Sequence, residues 1–198
     1  MWYIIVRFFF FAILFIVFLK TFKRHLKKIT VIVSIIVTLI LFSFSYLVPF
    51  ENLFFNFSSP QDVFRYQLMG KPISIVEGKD SALILYINNG TISQSIIPKT
   101  KNGWKIGTYF SYEGVLTKDW KYNTIVIYRC KNSSDFYVFV SDPLAKKFED
   151  ISDNKDSSFY HYSNESYYSY VYGIDKDYTL TINGEKITFN FRPKTLLS

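Results

Sequence analysis

Apolar positions run unbroken at the start of the chain and alternate with polar ones after it. Residues 1–19 (MWYIIVRFFFFAILFIVFL) carry one charge, Arg7, and residues 29–48 (ITVIVSIIVTLILFSFSYLV) carry none. Wound as helices, these runs cover roughly 28–30 Å each, about the thickness of a bilayer's hydrocarbon core. Amides in lipid have no water to bond, so both runs are expected to be transmembrane helices despite their β-branched and aromatic content. The pattern predicts spans at 1–19 and 29–48 joined by a loop at 20–28.

Beyond residue 50 the period changes. Ser59 suits a helix N-cap, Pro60 the first helical position and Asp62 the third, so one short helix is expected there. Val63, Phe64 and Leu68 are candidates for its packing face, and Gly70 suits its end. After that come β-branched and aromatic runs at 73–77, 82–87, 91–97, 104–106, 122–128, 136–140, 178–182 and 186–189. Asn89-Gly90, Asn102-Gly103 and Asn183-Gly184 are tight-turn dipeptides, which favour antiparallel hairpins. Residues 142–158 are polar and charged, and read as an exposed loop with a short helix near 144–148. The expected fold class is α+β. A two-helix transmembrane hairpin over 1–50 precedes a mainly antiparallel β domain over 51–198, either an open sheet or a partly closed barrel.

Charge sharpens this picture. The formal net charge is +7, yet all 16 acidic residues lie beyond residue 50 with 17 basic ones, which leaves that segment near neutral. The excess basicity is therefore N-terminal, and a domain-wide nucleic-acid footprint is excluded. Lys20, Lys23, Arg24, Lys27 and Lys28 crowd the loop between the apolar runs. Cytoplasmic loops collect Lys and Arg, so this loop is expected inside and residues 51–198 outside, in a multi-pass protein of the cell membrane. Trp2, Tyr3 and Tyr46 then fall together at the outer interface, where such rings prefer to sit. Two other readings fit the pattern. The second run can be a cleaved signal peptide ending near Ser43-Phe44-Ser45, or the orientation can be reversed. Arg7, about 9 Å inside the first span, is expected to snorkel outward or to face a foreign membrane helix.

Pro49-Phe50-Glu51-Asn52, Phe57-Ser58-Ser59-Pro60 and Phe64-Arg65-Tyr66 follow directly on an apolar helix. This short stretch resembles small membrane-anchored extracytoplasmic proteins of Gram-positive bacteria. The resemblance implies an envelope setting and no particular activity.

Candidate chemistry is sparse. There is one cysteine, Cys130, and there are two histidines, His25 and His161. No internal disulfide can form, and a zinc site lacks its usual ligands. A Walker loop and a Gly-x-Gly-x-x-Gly turn are both missing, so no cofactor and no metal is expected. Glu149, Asp150, Asp153 and Asp156 form an acidic cluster without the spacing of a calcium loop. Cys130 beside Arg129, with Arg192 elsewhere, has some likeness to sortase-type transpeptidases. The order of Cys130 before His161 is the reverse of theirs, and their threonine-rich lead is missing.

The most unusual segment holds Phe159-Tyr-His161-Tyr and Tyr167-Tyr168-Ser-Tyr170-Val-Tyr172. In a strand Tyr168, Tyr170 and Tyr172 share one face, and with His161 they are the binding candidates. The leading expectation is a non-enzymatic envelope protein. Its exported domain binds a partner protein or wall glycan, or serves as an accessory subunit of a membrane complex. The alternative is an envelope hydrolase or transpeptidase that uses Cys130 or a serine with His161.

Overall fold

The computed structural model describes residues 2–21, 28–67, 71–108, 111–142, 150–163, 165–189 and 191. Helix α1 (Trp2–Thr21) and helix α2 (Lys28–Phe44) lie antiparallel. Tyr3 meets Tyr46 edge-on at one end, and Thr21 and Ile29 line one groove at the other. By length and composition α1 can cross a membrane, from Tyr3 to Thr21. The second run is shorter than expected. Its helix stops at Phe44, about 25 Å long. Residues 45–48 then wind into turns in which Tyr46 N–H donates to Ser43 and Leu47 N–H to Phe44. Pro49 explains the stop, because it lacks an N–H and pushes the residue before it out of the helical region.

A 3-10 turn, Phe50–Leu53, leads to helix α3 (Pro60–Gln67). Its N-terminus is capped as expected. The Asp62 N–H donates to Ser59 Oγ at 3.1 Å, and the Ser58 and Ser59 hydroxyls return bonds to the Asp62 carboxylate. Those bonds hold the Asp62 carboxyl below its usual range. Leu68 and Gly70 lie outside the described residues.

Among the described residues twelve antiparallel strands follow, in three sheets. The first sheet orders β1 (Pro72–Glu77), β2 (Ser81–Asn88), β3 (Thr91–Thr100) and β4 (Gly103–Trp104) in sequence. In the second, β5 (Tyr112–Trp120), β6 (Asn123–Cys130) and β7 (Asp135–Ser141) are followed by β10 (Ser166–Tyr172) and then β9 (Phe159–Ser163). The third places β11 (Thr179–Ile182) between β12 (Glu185–Thr188) and β8 (Ile151–Asp153). The hairpin dipeptides Asn89-Gly90 and Asn183-Gly184 both have positive φ at each residue, as a type I′ turn requires.

The sheets stack in layers, and strand alternation explains how. On β2, Ala82 and Ile84 pack under α3 with Val63, Phe64 and Trp104. Leu83 and Leu85 point the other way, to Tyr137, Phe139 and Tyr168 of the second sheet. On β7, Phe136, Val138 and Val140 face the third sheet, against Leu180, Ile182 and Ile187. Strands β2 and β7 are thus buried on both faces, which is why they read as continuous apolar runs. This is a stack of α3 and three open sheets rather than a closed barrel.

Strands β5, β8 and β9 lie outside the runs expected to be strands. β5 carries a bulge between Gly114 and Leu116 that breaks its alternation. β8 is three residues inside the segment expected as a loop, formed by pairing with β11. The short helix expected near 144–148 lies outside the described residues.

Gly78 sits where the first two sheets come closest. A methyl group there would lie 2.5 Å from the Tyr170 ring and 2.6 Å from the Asp135 carboxylate. Gly78→Ala should cost about 1–3 kcal/mol of stability through overpacking. Equilibrium urea unfolding of the detergent-solubilised protein measures it, and an unchanged midpoint would refute the contact.

Candidate functional site

The junction between the helices and the β domain is built on Arg7. The guanidinium grips Glu51 with two bonds, Nε to Oε1 at 2.6 Å and a second nitrogen to Oε2 at 3.0 Å. Both side chains are buried. The rings of Tyr3 and Tyr46 lie 5.2 Å from the guanidinium carbon, and that of Phe50 lies 6.0 Å away. Tyr66 of α3 donates its hydroxyl to Glu51 Oε1 at 3.3 Å. Burial, with the charge of Glu51, pushes that hydroxyl up to about 12. Phe50 stacks on Phe10 at 4.5 Å between ring centres. Arg7 therefore neither snorkels nor waits for a foreign helix; its partner comes from the same chain, 44 residues later. The paired fork geometry suits a buried arginine, whose donors cannot be left unmet in an apolar setting.

The tyrosine row on β10 lies between two sheets. Tyr168 is buried and its hydroxyl shares a 2.7 Å hydrogen bond with Ser74 of β1. Tyr170 is half-buried and donates to Asp135 Oδ1 at 2.9 Å, while the Lys79 N–H donates back to its oxygen. Tyr172 is 48 % exposed, and it meets Lys79 through its hydroxyl at 3.0 Å and through its ring. Asp135 is the centre of this network. Fully buried, it also accepts the Asp80 N–H and the Ser81 hydroxyl, each at 2.8 Å. Ser81 in turn shares a bond with Tyr137. The hydroxyl of Tyr168 and the carboxylate of Asp135 are thus used inside the molecule. The aromatic surface still open to a ligand is Tyr172 and Tyr160, the latter stacked on Tyr168.

His161 is exposed on edge strand β9, its ring 4.6 Å from that of Tyr167. Cys130 is buried at the end of β6, and burial pushes its thiol up. Strands β7 and β10 separate β6 from β9. Three inter-strand spacings amount to about 14 Å, so the fold does not bring the two groups together. Arg129 is bonded to Glu113 across the β5–β6 pair; Arg192 lies outside the described residues.

In the acidic cluster, Asp153 accepts the backbone N–H groups of Lys155 and Ser157 and the Tyr178 hydroxyl. It shapes its own loop. Glu149 lies outside the described residues. Among the described residues no three His, Cys, Asp or Glu side chains group as metal ligands do. Of the topology residues, Lys20 ends α1 and Lys28 begins α2, both exposed; Lys23, Arg24 and Lys27 lie outside the described residues.

One recess went unnoticed in the sequence. A cavity of about 120 Å³ lies between the β5–β6 and β11–β12 turns, lined by Trp120, Asn123, Asp142 and Glu185. The buried Asn123 Oδ1 there has no hydrogen-bond partner among the described residues. Such an acceptor favours a hydroxyl or amine donor. Nothing in the local sequence marks it, because it depends on two hairpins that meet only in the fold.

Comparison with protein-family models, curated proteins and solved structures finds no match.

Removing one partner of the Arg7–Glu51 pair leaves a bare buried charge. Arg7→Met should cost about 3–5 kcal/mol in thermal or urea unfolding. The double variant Arg7→Met/Glu51→Met should recover most of that loss; an equal loss in both would deny the coupling. The tyrosine network has its own signature. The Tyr170 hydroxyl is pushed up from 10.0 to about 12, first by burial and also by the nearby Asp135 carboxylate. The unfolded tyrosine loses its proton first as pH rises, so this contribution is whole below pH 10 and is lost between pH 10 and about 12. Urea unfolding across that range should show the decline, and Tyr170→Phe should make it shallower.

Proposed function

We propose that the chain is a non-enzymatic, membrane-anchored envelope protein. Helices α1 and α2 cross the bilayer as an antiparallel pair with the basic loop at 20–28 on the cytoplasmic face. Residues 51–198 stand on the outer face. There the β domain binds a partner protein or wall glycan, or serves as an accessory subunit of a membrane complex.

The observation that carries this reading is the Arg7–Glu51 pair. It neutralises the charge inside the apolar α1 with an acid from the first turn after α2. The two helices and the domain edge thereby share one buried joint. A supporting observation is the surface of the helices themselves. Large apolar side chains such as Phe8, 62 % exposed, and Ile29, 70 % exposed, are left open by the other described residues. A surface of that kind suits lipid or a membrane partner. Helix α2 covers about 25 Å, and the apolar turn at 45–48 supplies the remaining depth.

For binding, Tyr172, Tyr160 and His161 offer exposed rings with polar handles. The alternative of a hydrolase or transpeptidase using Cys130 or a serine with His161 gains no support. Its thiol is buried, its histidine lies on the far edge of the sheet, and burial disfavours the thiolate such chemistry needs.

Cysteine labelling in intact cells tests the topology. With Cys130→Ser as background, Lys186→Cys should react with a membrane-impermeant maleimide in whole cells. Lys28→Cys should react only after lysis. The reverse pattern would overturn the proposal. Crosslinking of the full-length protein in cells then separates the binding modes: a reproducible membrane-protein partner supports the accessory subunit, and attached wall material supports glycan binding.

A further inference from the structure

The turn that supplies Glu51 also carries an apolar edge that the β domain leaves uncovered. Leu53 is 81 % exposed and Phe54 67 %, with Phe55 beside them exposed as well. Three consecutive large apolar side chains on the surface of a water-facing domain are unfavourable unless something covers them.

The backbone beneath them is pinned. Asn52 reads Ile106 as a strand partner would, donating Nδ2 to its carbonyl at 3.0 Å and accepting its N–H at 2.8 Å. Lys105 donates its ammonium to the carbonyls of Asn52, at 2.5 Å, and Phe55, at 2.9 Å. Phe57 and Trp104 exchange both backbone bonds just beyond. The exposure of residues 53–55 is therefore built into the fold.

Depth identifies the occupant. Arg7 lies four residues into the apolar stretch that begins at Tyr3, about 6 Å along the helix. Phe50 stacks on Phe10 and meets Phe11 edge-on, so the turn that starts there sends its first ring to the part of α1 beyond Arg7. Apolar residues 46–48 lead into it, with Leu47 and Val48 exposed. Exposed apolar side chains thus stand on both sides of the Glu51 turn, and the Lys105 ammonium is bonded to the carbonyls beneath residues 53–55. Rings and aliphatic chains with a cation just behind them match the boundary between acyl chains and anionic phosphates.

We infer that Leu53, Phe54 and Phe55 form a lipid seat: an edge of the β domain that dips into the outer leaflet and fixes the domain against the membrane. The inference rests on the transmembrane reading of α1 and α2. The occupant is phospholipid, entered by apolar side chains without any covalent step.

Site-directed fluorescence on the full-length protein tests it. The environment-sensitive dye NBD is attached to Phe54→Cys, with Cys130→Ser as background, and the protein is reconstituted into vesicles of phosphatidylcholine and phosphatidylglycerol. Two references accompany it. Phe9→Cys lies on the exposed face of α1, and Lys186→Cys lies on an exposed strand of the third sheet. The dye at 54 should emit blue-shifted and lose intensity to lipids carrying a shallow nitroxide, whereas the dye at 186 should do neither. Quenching at 9 with none at 54 would overturn the seat and leave the membrane spans standing. A blue shift at 54 without lipid quenching would also overturn it, assigning the edge to a second copy of the chain. No quenching at 9 would remove the transmembrane reading and the seat with it.

Discussion

A charged side chain within an apolar helix needs a partner, and in this protein that need organises the joint between helices and domain. Arg7 presents its donors in a fixed plane. Glu51 meets two of them, and Tyr66 meets the carboxylate from the other side. Because Glu51 lies directly beyond α2 and Tyr66 lies on α3, one ion pair ties together three helices. The rings of Tyr3, Tyr46 and Phe50 pack around the guanidinium. A buried pair is weak evidence for net stability, since desolvation offsets most of its attraction. Its value here is geometric: the pair is satisfied in one arrangement of helices and domain, and any other leaves a charge bare.

The same logic recurs between the first two sheets. Apolar packing alone would let Leu83 and Leu85 slide over Tyr137 and Phe139 at small cost. Asp135 prevents that, because its bonds reach the Asp80 N–H and the Ser81 hydroxyl across the gap, while the Tyr170 hydroxyl of its own sheet holds its other oxygen. The approach is so close that the turn before β2 needs a residue without a Cβ, and Gly78 is that residue. Register between the layers is set by polar contacts, and the apolar neighbours supply the driving force.

These joints mark the boundary of what was legible in the sequence. Hairpins were legible, because Asn-Gly turns and β-branched runs are local signals, and they place most of the strands. The cap of α3 was legible for the same reason. The bulge in β5 and the three residues of β8 were not, since each is a strand only by virtue of its neighbour. The tyrosine row was read correctly as one face of a strand, but alternation cannot tell an outer face from one pressed on a second sheet. Arg7 was legible as an anomaly and its partner was not. Nothing within a dozen residues points to Glu51, and the pair exists only once α1 and α2 lie side by side. The acceptor of Asn123 is similar: two distant hairpins enclose it.

Length and rigidity bear on how such a domain can work at a membrane. A flexible tether would let the domain roam, and any ligand would then pay for its ordering on binding. Here the chain runs from the end of α2 at Phe44 through six residues to Glu51, and Arg7 closes the joint from the other helix. The layers follow in the order α3, first sheet, second sheet, third sheet. Sheets about 10 Å apart put the third sheet roughly 20 Å beyond the first. Tyr160, His161 and Tyr172 on the second sheet are held at a set height and a set angle. On the proposed function, a partner in the same membrane or a wall layer meets those groups already positioned, so less of its binding energy goes into orientation. Such a mount suits recognition at constant reach better than capture of a freely diffusing substrate.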